Sequence, residues 1–62
     1  MIKIIQNPNF QNWFTLVNNK TNETEEIAGR AKAVRVALKI AKRIGENQVI
    51  VEDTRGWKAV EV

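Results

Sequence analysis

The sequence predicts an α+β domain over residues 1–62, in which an antiparallel sheet of four to five strands packs one α-helix on one face. Three observations predict it. Short segments rich in Ile, Val and aromatic residues flank one long segment with helical character. That helical segment, residues 31–44, contains neither Gly nor Pro. A length of 62 residues leaves no room for a second domain.

The first two strands are predicted at residues 2–6 and 13–17. The first is rich in Ile and alternates around Lys3, and Pro8 ends it because proline lacks an amide donor. The second consists of aromatic and β-branched residues apart from Leu16. Its alternation makes both faces largely apolar, with Trp13, Thr15 and Val17 on one and Phe14 and Leu16 on the other.

The middle of the chain is predicted to be a polar loop followed by the helix. Residues 18–26 are polar without period, although a short third strand over 24–28 could fold back on the second strand. The helix, residues 31–44, ends at Gly45, a residue that adopts positive φ without steric cost. At the other end, Gly29 is the only nearby candidate for a cap.

The C-terminal segment predicts a hairpin, with strands at 48–52 and 57–62 and a turn at 53–56. Glu52 and Asp53 are adjacent on a strand and therefore point to opposite faces, which favours turn chemistry over a shared carboxylate site. Because the chain has few aromatic residues, we expect Trp13 and Trp57 in the core or at one end of a groove, with Phe10 and Phe14 beside them. The alternative is that the tryptophans stack on bases or sugars.

The amino-acid composition excludes most catalytic mechanisms. The chain has no His, Cys or Ser, so it lacks an imidazole base, a thiolate and the commonest hydroxyl nucleophile. We expect a protein that is not an enzyme, with no catalytic residues, no cofactor and no metal site. There is no apolar run of about 20 residues and no signal-peptide pattern. We therefore expect a cytoplasmic protein with no membrane partner.

The charged residues of the helix form an acid-free face. Six of the ten basic residues and none of the seven acids lie between Arg30 and Arg43. At about 100° per residue, five of them fall within an arc of roughly 100°. These five are Lys32, Arg35, Lys39, Lys42 and Arg43. One interpretation is a contact surface for DNA, RNA or an acidic protein. The other is a solvated helix face.

The apolar arc of the same helix covers roughly 220°, which is wider than packing on one sheet requires. Val36 and Ile40 lie at its edge, next to the basic residues. Together with the two-faced second strand, this surplus predicts a homodimer that associates through Val36, Ile40 and a sheet face or edge. The alternative is that the segment 18–30 folds over it.

One family resemblance covers nearly the whole chain. The helix reads Ala31-x-Ala33…Ala37-x3-Ala41 and ends at Gly45, and the motif Val49-Ile50-Val51-Glu52-Asp53-x2-Gly56 follows. This pattern, with Trp13 and Val17 in the second strand, resembles the bacterial domain of unknown function family 2188. The resemblance implies a small bacterial sheet-plus-helix domain and implies no activity. A phage origin stays open beside a bacterial one.

Two function hypotheses follow. The first is a small non-enzymatic binding module that contacts nucleic acid through the basic helix face. The second is a protein–protein interaction or homodimerisation module with no role in nucleic-acid binding.

Overall fold

The computed structural model describes residues 1–62 and contains five strands and one helix. In chain order they are β1 (Ile2–Gln6), β2 (Trp13–Asn18), β3 (Glu23–Ala28), α1 (Arg30–Ile44), β4 (Gln48–Asp53) and β5 (Gly56–Glu61). The predicted α+β class is confirmed, and each predicted element is present within one or two residues of its expected bounds. The short third strand, which the sequence left open, is formed.

The five strands form one sheet in the order β3-β2-β1-β4-β5, so β1 is the central strand. Three of the neighbouring pairs are antiparallel, but β1 and β4 are parallel. The expectation of a purely antiparallel sheet is therefore wrong at this pair. The reason is that α1 carries the chain back along the sheet, so β4 starts again in the direction of β1.

The core lies between α1 and one face of the sheet. The sheet contributes Ile2, Ile4, Phe14, Leu16, Ile27, Val49 and Val51, all buried. The helix contributes Ala33, Ala37 and Ala41, which are fully buried and lie four residues apart on one line. Methyl side chains along this line let the helix backbone approach the sheet closely. The larger apolar residues of the helix pack on the flanks of this line.

Strand β3 lies at the edge of the sheet, which explains why it can consist mostly of polar, exposed residues. Ile27 is its single buried residue, and the rest of the strand is exposed. Its backbone pairs with β2 along the full length, from Trp13 opposite Ala28 to Asn18 opposite Glu23. An edge strand is held by these backbone hydrogen bonds and needs few apolar side chains.

Both ends of α1 are formed by glycine. Gly29 precedes the helix at φ 93° and supplies no side-chain cap, although its N–H donates to the Asn12 carbonyl at 2.6 Å. Gly45 ends the helix in the left-handed conformation, at φ 80° and ψ 20°. Lys42 and Arg43 lie in the last turn, where cations complement the negative end of the helix dipole.

The expected core position is wrong for three of the four aromatic residues, although Trp57 does line a groove. Phe14 is buried, but Trp13, Phe10 and Trp57 are 43%, 65% and 69% exposed. Strand alternation gives the reason for the tryptophans. Phe14 points toward the helix, so its neighbour Trp13 points to the opposite face of the sheet, and Trp57 pairs with Glu52 on that same face.

Candidate nucleic-acid interface

The five predicted helix cations are together on the outer side of α1. We call this surface the basic face, and it consists of Lys32, Arg35, Lys39, Lys42 and Arg43. All five are exposed. On the helical wheel they lie opposite the buried line of Ala33, Ala37 and Ala41, because the helix turns about 100° per residue. The face therefore points directly away from the sheet.

None of these five cations has an acidic partner. The three ion pairs of the structure join Lys3 to Glu52, Arg30 to Asp53, and the α-amino group of Met1 to Glu46. No acid lies within the helix. Like charges three and four residues apart on a helix repel one another, so this arrangement is mildly unfavourable for the isolated chain. An anionic partner would remove that repulsion.

The dimensions of the basic face suit a polyanion. Lys32 and Arg43 are eleven residues apart, which corresponds to about 16 Å along the helix axis at a rise of about 1.5 Å per residue. Double-stranded DNA carries one charge per about 1.7 Å of its axis, so a stretch of this length offers several phosphates. Long Lys and Arg side chains can adjust to their spacing.

Two acidic side chains lie beside one end of the basic face. A groove of about 490 Å³ between α1 and the strands β2 and β3 is lined by Ile40, Arg43 and Ile44 on the helix side. Glu23 and Glu25 line it on the strand side. Arg43 therefore shares this groove with two carboxylates, and the other four cations do not line it.

A second groove, of about 580 Å³, lies where α1 begins and β4 ends. Three basic residues line it, Arg30, Arg55 and Lys58. Asp53 lies among them: its Oδ2 accepts a 2.6 Å hydrogen bond from Arg30 Nη1, and its Oδ1 accepts one from the Arg55 backbone N–H at 2.8 Å. Both contacts lower the pKa of the Asp53 carboxyl, and the hydrogen bond from Arg30 has the larger effect.

The sequence did not predict this second groove. Its residues come from the helix start and from the β4–β5 turn, more than twenty positions apart. The sequence predicts only that Glu52 and Asp53, as neighbours on a strand, point to opposite faces of the sheet. The structure confirms that their side chains diverge. Glu52 pairs with Lys3 at 3.0 Å, while Asp53 binds Arg30.

Val36 and Ile40, the helix residues proposed for self-association, are half-buried and pack against the core. Val34, Leu38 and Ile44 of the same apolar arc also pack against the core. Two of the exposed large apolar side chains, Trp13 and Trp57, lie on the sheet face opposite the helix.

The structure has no group of three His, Cys, Asp or Glu side chains arranged to hold a metal ion. Helix α1 has 15 residues, and no helix of the structure has the length and apolar character that crossing a bilayer requires.

Comparison of the chain with protein-family models, with curated proteins and with solved structures found no match. The resemblance to the domain of unknown function family 2188 is not decided by this result and stays a prediction.

Proposed function

We propose that this protein is a non-enzymatic nucleic-acid-binding module that contacts the phosphate backbone of DNA or RNA through its basic face. One observation carries the proposal: five exposed cations lie side by side on the outer face of α1, and none of them has an acidic partner. Cations in this arrangement release counterions from a nucleic acid when they bind, which provides the driving force.

The chemistry of the basic face favours binding without sequence preference. Sequence is read by donors and acceptors that reach base edges, such as Asn, Gln or bidentate Arg in the major groove. The exposed arc holds only Lys and Arg together with the methyl group of Ala31. These side chains position a protein on phosphates and carry little sequence information. The proposed partner is cytoplasmic DNA or RNA of mixed sequence.

An acidic protein is the competing partner for the same surface. The two differ in charge spacing, because a nucleic acid presents a continuous row of phosphates whereas an acidic protein presents isolated carboxylates. The regular spacing of the five cations over about three turns of α1 favours the continuous row.

The test is a comparison of two charge-reversal variants by fluorescence anisotropy with a labelled 20-nucleotide duplex at low salt. Lys39→Glu/Lys42→Glu reverses two charges at the centre of the basic face. Lys20→Glu/Lys58→Glu makes the same change in net charge at exposed positions away from it. We expect the first variant to bind at least tenfold more weakly than the wild type, and the control to change binding by less than threefold.

Equal losses in the two variants would contradict the proposal, because binding would then follow net charge alone. Absence of any wild-type binding at low salt would contradict it as well. Circular dichroism of both variants verifies that the fold is unchanged. A wild-type protein that binds an acidic protein but no duplex and no single strand would assign the basic face to the competing partner.

A further inference from the structure

We propose that the sheet face opposite α1 is a self-association surface whose occupant is the same face of a second copy. The two copies would be related by a two-fold axis that runs along the central strand β1. This inference does not depend on nucleic-acid binding, since it concerns the other side of the molecule.

The composition of this sheet face differs from that of an ordinary solvated face. Strand alternation and the observed register place its side chains in rows across the sheet. One row runs Glu26, Thr15, Ile5, Glu52, Trp57, and the next runs Thr24, Val17, Lys3, Ile50, Ala59. A sheet with one face in water normally alternates apolar and polar residues. Here the three central strands each carry a β-branched aliphatic residue on the side away from the core.

The burial of these residues shows that the single chain does not cover them. Ile5, Val17 and Ile50 are only half-buried, although they lie on the three inner strands of the sheet. Trp13 and Trp57 are 43% and 69% exposed at the border of the same face. Ile5, Val17 and Ile50 surround the Lys3–Glu52 ion pair at the middle of the face. Exposed apolar side chains grouped in this way are typical of a protein interface.

The strand order makes the face self-complementary. Because β1 is central, a two-fold axis along it places β2 of one copy over β4 of the other, and β3 over β5. Ile5 then meets its own counterpart, and Val17 meets Ile50 of the second copy. Two sheets related in this way pack with their strands aligned, which is the usual geometry of a β-sandwich.

The same axis keeps like charges apart with one exception. Glu26 faces Trp57 of the second copy, and Glu52 faces Thr15. The exception is Lys3, which meets its counterpart, but each Lys3 already holds Glu52 of its own chain at 3.0 Å. The two ammonium groups therefore lie between two carboxylates, so the centre of the interface is close to neutral.

The area of this sheet face fits a weak dimer that forms at high protein concentration. Five strands about 4.8 Å apart and about 18 Å long present roughly 430 Å² of surface per copy. Two copies would bury about 860 Å², which is below the roughly 1,000 Å² of a stable specific interface and fits a weak, transient one.

A nucleic acid stacked on the two tryptophans is the other occupant to consider. Base stacking on exposed aromatic residues is common among proteins that bind single strands. On this face, however, Glu26, Glu52 and Glu61 outnumber the single cation, Lys3. Three carboxylates repel phosphates, so the charge of this face favours a second copy over a nucleic acid.

The experiment is sedimentation equilibrium over a concentration range, with tryptophan fluorescence measured in parallel. Both tryptophans of the chain lie on the proposed interface, so their emission should shift to shorter wavelength as the mass rises toward twice 7.1 kDa. A mass that stays at 7.1 kDa up to millimolar concentration would overturn the proposal. So would a shift in emission that needs added single-stranded oligonucleotide.

A charge-swap pair tests the predicted register. Trp57→Glu places a carboxylate opposite Glu26 of the second copy and should weaken association at least tenfold. Adding Glu26→Lys should recover most of that loss, because Lys and Glu then face each other at both ends of the interface. Within one chain these positions lie on opposite edge strands, about 19 Å apart at about 4.8 Å per strand. Recovery must therefore be intermolecular, and its absence with both variants folded would overturn the proposed axis.

Discussion

Arg30 and Asp53 are 23 positions apart in the chain, yet Arg30 Nη1 donates a 2.6 Å hydrogen bond to Asp53 Oδ2. The contact joins the first residue of α1 to the last residue of β4. Arg30 is half-exposed, while the side chain of Asp53 is only 17% exposed. The pair ties the start of the helix, which has no side-chain cap, to the turn between β4 and β5.

The Arg30–Asp53 contact predicts an acid-sensitive contribution to stability. The pKa of Asp53 is lowered, first by the hydrogen bond from Arg30 and then by that from the Arg55 backbone. A carboxyl with a lowered pKa in the folded state stabilises it above the unfolded pKa of about 3.9, and this contribution is lost as the pH falls through the folded value. In urea denaturation, Asp53→Asn should destabilise the protein at pH 7 and much less at pH 2.5. An equal effect at the two pH values would show that the carboxylate charge is not involved.

The line of buried alanines predicts intolerance of larger side chains. Ala37 is fully buried between α1 and the sheet. Ala37→Leu should lower the free energy of unfolding by about 1–3 kcal/mol, because extra methylenes in a filled core force the helix away from the sheet. The matched control is Ala31→Leu at an exposed helix position, which should change it by less than about 0.5 kcal/mol. Chemical denaturation of both variants checks the prediction, and similar effects would contradict it.

The helix end predicts a requirement for glycine at position 45. Gly45 has φ 80° and ψ 20°, in the left-handed region. Gly45→Ala should cost about 1 kcal/mol, since a Cβ disfavours this conformation. Asn adopts the left-handed region more readily, so Gly45→Asn should be less destabilising than Gly45→Ala. Thermal denaturation of the three proteins ranks them, and an alanine variant as stable as the wild type would refute the assigned helix end.

The exposure of Trp57 predicts that a large truncation has a small effect on the fold. Trp57→Ala removes a whole indole ring from an edge strand and, at low protein concentration, should change the free energy of unfolding by less than about 0.5 kcal/mol. Ile4→Val removes a single methylene from a fully buried position and should cost about 0.5–1.5 kcal/mol. The reverse order in a urea titration would mean that Trp57 belongs to the core, as its size first suggested.

Local patterns predicted the elements of this fold because their causes are local. Alternation in β2 separates Phe14 from Trp13, and glycine at position 45 ends the helix. The parallel pairing of β1 with β4 depends on where the helix crossover returns the chain, which no short segment determines. Which face of each strand the helix covers is also set by the whole fold. Size alone therefore predicts Trp13 and Trp57 in the core, whereas both lie on the sheet face away from the helix.

The same distinction between local causes and distant contacts applies to the candidate site. The basic face could be predicted because five cations recur at helical spacing within one segment. The groove around Asp53 and the rows of the open sheet face could not, because they are assembled from strands distant in sequence. The strand order places β1 at the centre of the sheet. The proposed pairing of Val17 with Ile50 of a second copy rests on that central position.

The most direct test of the central claim, that the basic face binds phosphates, is the salt dependence of wild-type affinity for a mixed-sequence DNA duplex. If five cations contact five phosphates, log K should fall linearly with log salt concentration, with a slope of about −4.5. Lys39→Glu/Lys42→Glu should reduce the magnitude of the slope by about 2 or more. A slope near zero, or no binding at about 50 mM salt, where such contacts are strong, would contradict the claim.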